Sequence, residues 1–561
     1  MKLANKVKIG IGASVLAFLV VLITSASRDE KMFAIDKNLD IFHAIIRELN
    51  VFYVDELDAD KMMRTGIDEM LKTLDPYTTF IPEKEIDDFN FMTTGEYAGV
   101  GAIIALKGED IIVSEPYQGF PADKAGLRAG DIFVEVAGKS VKGMDVEGVS
   151  NLLKGTSNEM LTVKVKRFGE KKTLSFDVVR KQIQIDAVPY YGMLDNKVGY
   201  LQLSSFTEGC GNEIRKIVKE LKEKDGATSL ILDLRNNPGG LLNEAVTIVS
   251  AFVPKGTKVV FTKSKVEKWD QEYFTTENPI DENIPLAVLV NKRSASASEI
   301  VSGALQDLDR AVVIGSRTFG KGLVQATRDL SYNSKLKLTT AKYYVPSGRC
   351  IQALDYSNRN EDGSVGVVPD SLITEFSTNN GRKVYDGGGI TPDIKVELPT
   401  GSSFIYYLMR DYMIFDYATK YFYEHESIAA ANQFEINDEI YADFLKFIKE
   451  KDFSYESETE KALDELEKTA KLEKYYDRSK TEFEALRQQV KHELDKDVED
   501  FKEEIKILLL DEIVTRYHYQ KGAIIASLKS DIVLHRAESI VCSADSLSAY
   551  FKPGTIIAKE K

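Results

Sequence analysis

The chain has 561 residues, too many for one compact domain and enough for three or more. Hydrophobic residues make up 43% and charged residues 29%, an ordinary balance for a soluble globular protein. A net charge of −15 argues against a nucleic-acid partner, because nothing in the total offsets phosphate repulsion.

Cys210, Cys350 and Cys542 are odd in number and far apart, so they give neither a disulfide framework nor a zinc spacing. No metal site and no cofactor are expected. The five histidines leave residues 44–424 empty of that side chain. A Ser-His-Asp triad would have to borrow its base from outside the middle of the chain.

At the N-terminus, Lys2, Lys6 and Lys8 precede the uncharged run Ile9 to Ala26, and Asp29 and Glu30 follow it. That charge order marks an export segment with its N-terminus inside, either a cleaved signal or an inner-membrane anchor at residues 9–26. The expected location is therefore periplasmic or in the cell envelope. Apolar positions at helical spacing from Asp36 to Leu74 predict two helices, closed by the turn at Asp75-Pro76.

Tyr97 to Phe168 has short β runs at 100–106, 111–113, 132–136 and 161–166, glycine turns between them, and a helix over 145–153. Gly99-Val100-Gly101-Ala102 and the run Ala125-Gly126-Leu127 to Gly130-Asp131 resemble a PDZ domain. The resemblance makes Gly99, Val100, Gly101 and Ala102 the expected peptide-binding loop. Successive backbone amides there suit a terminal carboxylate, with the peptide added as a strand.

Beyond Lys181 apolar strands alternate with amphipathic helices. Strands are predicted at 198–203, 229–234, 258–261, 286–290, 311–314 and 337–345, and helices at 212–221 and 242–252. Ser296 and Glu299 have capping-box spacing, so a helix starts next to Ser296 and runs to Leu308. From Phe404 glycine becomes rare, and helices are predicted at 405–423, 438–449, 458–516 (with a break near 475–477) and 523–541. This tail reads as a helical bundle or cap that serves assembly or binds an adaptor.

A serine on a strand-to-helix turn exposes its hydroxyl and faces helix N-terminal amides, a good place for a nucleophile. With no histidine nearby, a desolvated lysine can activate it. Lys321 lies between Gly320 and Gly322. By local sequence Ser294, Ser296 and Ser298 remain rivals.

Ser294 to Ile300, Thr318 to Gly322 with Gln325, Asp233 to Gly240, Tyr344 to Arg349 and Gly389 to Asp393 resemble the carboxyl-terminal processing peptidases of family S41, over about residues 36–400. The 25 residues from Ser296 to Lys321 and the four to Gln325 match that family. The resemblance implies a mixed α/β protease core of crotonase/ClpP-like type with an inserted PDZ-like domain. It implies Ser296 as nucleophile, Lys321 as general base and Gln325 as its orienting partner. Four residues suit a helical turn or one face of a strand, so spacing leaves that choice open. The oxyanion donors implied are Ala297 and either Gly239 or Gly240. The implied substrate is an exported protein or peptide, recognised by its C-terminus.

The expected divisions are residues 1–27 for export, 28–90 for the helical segment, 91–170 for the PDZ-like domain, 171–403 for the protease core and 404–561 for the helical extension.

Overall fold

The computed structural model describes residues 32–359, 364–397, 402–491 and 493–553. The export segment lies outside them. Among the described residues no helix is long and apolar enough to cross a membrane. The chain divides into two compact units, Met1–Phe80 and Ile81–Lys561.

In the first unit one helix covers residues 32–52 and a second covers Ala59–Lys72, as the periodicity predicts. Asp58 caps the second helix by accepting the Lys61 N–H. The first helix leaves Phe33 and Phe52 exposed.

The second unit holds everything else. Its PDZ-like part enters through Glu96–Gly99 and leaves through Lys181–Gln184, and these two strands pair antiparallel as a stem. Between them the sheet runs in the order Ala102–Lys107, Asp110–Pro116, Ile132–Val136, Met160–Lys166, Leu174–Val179. The predicted helix is present at Val146–Leu153, capped by Asp145. Ala102–Lys107 is the edge strand of this sheet, with one side of its backbone unpaired by any strand among the described residues.

The α/β core is built on a mixed sheet. Tyr190–Met193 pairs antiparallel with Val198–Gln202, and Ser229–Asp233, Leu286–Val290, Val312–Gly315 and Ile394–Lys395 follow in parallel. Strands this apolar must be covered on both faces. One face carries the helices Cys210–Glu223, Leu242–Val249 and Ala297–Asp307. The other is covered by Ile532–Val541, whose Val533, Leu534 and Ala537 pack on Tyr200, Ile231, Leu289 and Val312. The end of the tail is thus part of the α/β core and not an appendage to it.

A second sheet of Lys258–Ser264, Gln271–Phe274, Leu323–Asp329 and Lys335–Tyr344 stands beside the first. The sequence pattern misses Leu323–Asp329 and Gln271–Phe274, because neither carries an apolar run or alternation long enough to read as a strand.

The tail differs from expectation in where its helices break. The helix predicted at 405–423 is two, Ser403–Arg410 and Met413–Glu424, separated at Tyr412 with φ 59°. The stretch 458–516 holds Glu458–Leu472, Lys480–Val490, Leu494–Asp500 and the start of Lys502–Leu528. Lys502–Leu528 is two helical stretches joined across a kink at the non-helical Tyr519, φ 56°, which falls inside the predicted gap at 517–522. A further break, inside the helix predicted at 523–541, comes at 529–531, where Asp531 caps the next helix with bonds from Val533 and Leu534 N–H.

The kink coincides with contacts to the PDZ-like part. Tyr519 donates its hydroxyl to Asp123 at 2.7 Å, Tyr412 donates to the Leu106 carbonyl at 2.9 Å, and Lys107 pairs with Asp416. Phe415 packs on Ile112 and Ala129 inside this ring of polar contacts.

Candidate active site

The strand Leu286–Val290 is wholly buried and delivers the chain to the turn at Asn291–Ala295. The helix Ala297–Asp307 begins directly after, with Ser296 at its cap, where the capping-box spacing places it. Ser296 has φ 56° and ψ −112°. An ordinary cap residue is extended, and a non-glycine residue in this region is strained. Local sequence alone does not predict that strain.

The three serines separate by what they bond. Ser294 and Ser298 are both 0% exposed. Ser294 Oγ donates to the Leu234 carbonyl at 2.8 Å, and Ser298 Oγ donates to the Asn237 carbonyl at 2.9 Å. Both hydroxyls therefore hold the neighbouring 234–237 segment. Ser296 is partly exposed.

The glycine turn lies against this serine. A Cβ on Gly239 would stand 2.7 Å from the Ala295 carbonyl and 2.8 Å from both Ala297 N and Ser296 Cβ, and its φ is +99°. Glycine is required on both counts. Asn237 shapes the turn: its amide donates to the Leu203 carbonyl, and its Oδ1 accepts the Gly239 N–H at 2.8 Å. The Ala297 N–H occupies the first position of the helix and has no acceptor among the described residues.

The backbone of Lys321 is joined to the serine turn through Glu299. The Glu299 carboxylate is fully buried, and four donors converge on it. Oε2 accepts the Ser296 N–H at 2.8 Å and the Lys321 N–H at 2.9 Å, while Oε1 accepts the Gly320 N–H at 2.7 Å and Thr318 Oγ1 at 2.6 Å. One carboxylate oxygen thus ties the backbone of the serine turn to that of the lysine loop. Burial pushes the Glu299 carboxyl up to about 7, against the pull of those donors. Tyr343 makes a second tie, its hydroxyl lying 3.0 Å from the Ser296 carbonyl and 2.5 Å from the Lys321 carbonyl.

Gln325 is on a strand, Leu323–Asp329, and its amide donates to the Leu323 carbonyl and Thr339 Oγ1 at 3.2 Å each. Sequence reasoning found Glu299 only as a cap and missed Tyr343 and Asn237. Capping-box spacing was the one local signal. The donors that give Glu299 its second role lie 19 to 22 residues further on.

In the PDZ-like part, Val100 and Gly101 form the loop between Gly99, the last residue of the stem strand, and Ala102, the first of the edge strand, with Val100 buried. The Val100 carbonyl accepts the Ala122 N–H at 2.8 Å, which fixes the loop on the short helix Pro121–Ala125.

A strained serine at a helix N-terminus, tied to a lysine loop beside a glycine turn, is the arrangement of a serine hydrolase. Residues 197–372 match the family model of peptidase family S41, residues 112–167 that of the PDZ domain, and residues 404–541 that of the C-terminal helical domain of probable PDZ-proteases. The chain is 35% identical over 353 residues to a carboxy-terminal-processing protease of Bartonella bacilliformis, covering 62% of this chain and 78% of that one. It is 35% identical over 354 residues to a probable CtpA-like serine protease of Staphylococcus aureus, covering 62% and 70%. Among solved structures, the photosystem II D1 C-terminal processing protease is similar at 29% identity, with 64% of this chain and 92% of that one covered and a TM-score of 0.35. The chain belongs to peptidase family S41 and is a serine peptidase that carries a PDZ domain.

Proposed function

We propose that the protein is an exported endopeptidase that works with a Ser-Lys dyad and cleaves proteins or peptides near their C-termini. Ser296 Oγ attacks the scissile carbonyl and forms an acyl-enzyme. Lys321, neutral when active, takes the serine proton and passes it to the leaving amine. Gln325 orients Lys321. The Ala297 N–H and a second amide, from Gly239 or Gly240, receive the oxyanion. Gly239 must release its bond to Asn237 to serve. Water then hydrolyses the acyl-enzyme with Lys321 as base.

The observation that carries this reading is the Glu299 carboxylate, which accepts the Ser296 and Lys321 N–H groups on the same oxygen. It brings two residues 25 positions apart into one backbone frame. The bonded state of Ser294 and Ser298 supports Ser296 as the nucleophile.

The PDZ loop Gly99–Ala102 receives the substrate carboxylate, and the substrate extends the edge strand Ala102–Lys107. The run Ile9 to Ala26 supports export on its charge order.

Two measurements test the proposal. Ser296→Ala and Lys321→Ala should each lower hydrolysis of fluorescein-labelled casein by at least about a thousandfold, with circular dichroism unchanged. Full activity in the Ser296 variant would sink the dyad. Amidating the C-terminus of a bound peptide should weaken its affinity, and unchanged affinity would remove the carboxylate from the loop.

A further inference from the structure

The turn that approaches Ser296 is held from behind by a residue of the helical tail. Arg235 immediately precedes the turn residues Asn236–Gly240. Its Nε lies 3.0 Å from both oxygens of Asp233, and its Nη2 lies 2.5 Å from Asp233 Oδ2 and 2.5 Å from Asp531 Oδ2. Asp233 is buried and also accepts the Tyr200 hydroxyl at 2.8 Å and the Arg235 N–H at 2.9 Å. One guanidinium is thus gripped by two carboxylates, one from the protease strand and one from the tail.

Asp531 divides its two oxygens between two tasks. Oδ1 caps the helix Ile532–Val541, and Oδ2 meets Arg235. A cavity of about 1000 Å³ lies alongside, lined among others by Arg235, Asn236, Asn291, Leu528 and Asp531. The tail therefore does not pack solidly on the turn at this point. Among the described residues, Asp531 is the one side chain of the tail that is hydrogen-bonded to residues 233–240.

The far side of the turn is wired to the serine loop. Asn236 and Asn291 exchange two hydrogen bonds of 3.0 Å. The Asn237 carbonyl accepts the Ala295 N–H and Ser298 Oγ. A shift at Arg235 is therefore carried to the segment that holds Gly239 against Ser296.

We propose that Asp531 is a positioning residue for catalysis: through Arg235 it sets the glycine turn against Ser296, so that the helical tail completes the active site. The inference rests on the Ser296 reading above.

Asp531→Asn tests it cleanly. Asparagine caps a helix as well as aspartate does, so Ile532–Val541 keeps its start while Arg235 loses one of its two carboxylate partners. With a fluorogenic peptide, kcat should fall about tenfold or more, KM should stay within about twofold, and Tm should move by no more than about 2 °C. Asp531→Glu, which keeps the charge, should recover part of kcat. Wild-type kcat in Asp531→Asn would overturn the inference. So would a loss of kcat that tracks a large fall in Tm and that Asp531→Glu does not relieve. Ser296→Ala, measured alongside, separates the two readings: if it is inactive while Asp531→Asn is fully active, the dyad stands and the positioning role falls.

Discussion

The serine turn and the PDZ interface are held in opposite ways. At the serine turn a wholly buried carboxylate binds four donors, and a tyrosine hydroxyl adds a second tie between the same two loops. Where the PDZ-like part meets the helical tail, a small apolar contact of Ile112, Ala129 and Phe415 is ringed by partly exposed polar bonds. Buried charge-assisted bonds are strong and costly to break, whereas exposed ion pairs contribute little. The serine turn is held by buried charge-assisted bonds, and the PDZ-like part meets the tail largely through partly exposed ones.

The largest break in that contrast should come from Glu299. In Glu299→Gln the amide can accept two donors on its oxygen, but its NH2 faces the other two, so the lysine loop shifts. Peptide hydrolysis should drop by about a hundredfold. The pH dependence sharpens the point. Burial raises the Glu299 carboxyl from 4.5 to about 7 in the folded protein. The folded state then keeps a proton that the unfolded chain has released, so the stability from this group is full below about pH 4.5 and is lost as pH rises through 7. The four donors require the opposite, ionised form. Activity should therefore rise through pH 7 while Tm falls, and Glu299→Gln should remove this part of the Tm profile. A Tm profile identical in wild type and variant would refute the assignment.

A smaller effect is expected at the PDZ interface. Phe415 is sandwiched between the PDZ patch and Arg516, whose guanidinium lies 4.5 Å from the ring centre. Phe415→Ala should cost about 3 kcal/mol locally. Hydrogen exchange should speed up in Asp110–Pro116 and leave Leu286–Val290 protected. Equal acceleration in both strands would mean that the two regions open as one.

The smallest effect belongs to Tyr412→Phe, which removes only the bond to the Leu106 carbonyl. It should weaken docking by about 1 kcal/mol or less, seen as slightly faster exchange at the edge strand alone. An effect as large as that of Phe415→Ala would show that the polar ring, not the apolar patch, holds the PDZ-like part.

Much of the fold was legible because it is written locally. The buried strands at 229–233 and 286–290 are uninterrupted apolar runs, and the cap at Ser296 announces its helix through Glu299. The strand that holds Gln325 was not legible, because its pairing with Lys335–Tyr344 and not its own pattern makes it a strand. The helix break at Tyr412 was also invisible, because a positive φ at a tyrosine is a conformation that local preference disfavours and that the surrounding contacts impose.

By itself the sequence determined the class of chemistry. A histidine-free middle, three serines on a strand-to-helix turn and a lysine in a glycine loop at family spacing are all facts of order along the chain. Only the tertiary structure decided which groups are available and which are engaged. It binds the hydroxyls of Ser294 and Ser298 to the 234–237 segment, turns a helix-capping glutamate into the tie between Ser296 and Lys321, and brings Asp531 back across almost 300 residues to Arg235. Hydrogen bonds between segments distant in sequence depend on where folding places their partners, and periodicity along the chain carries no record of that.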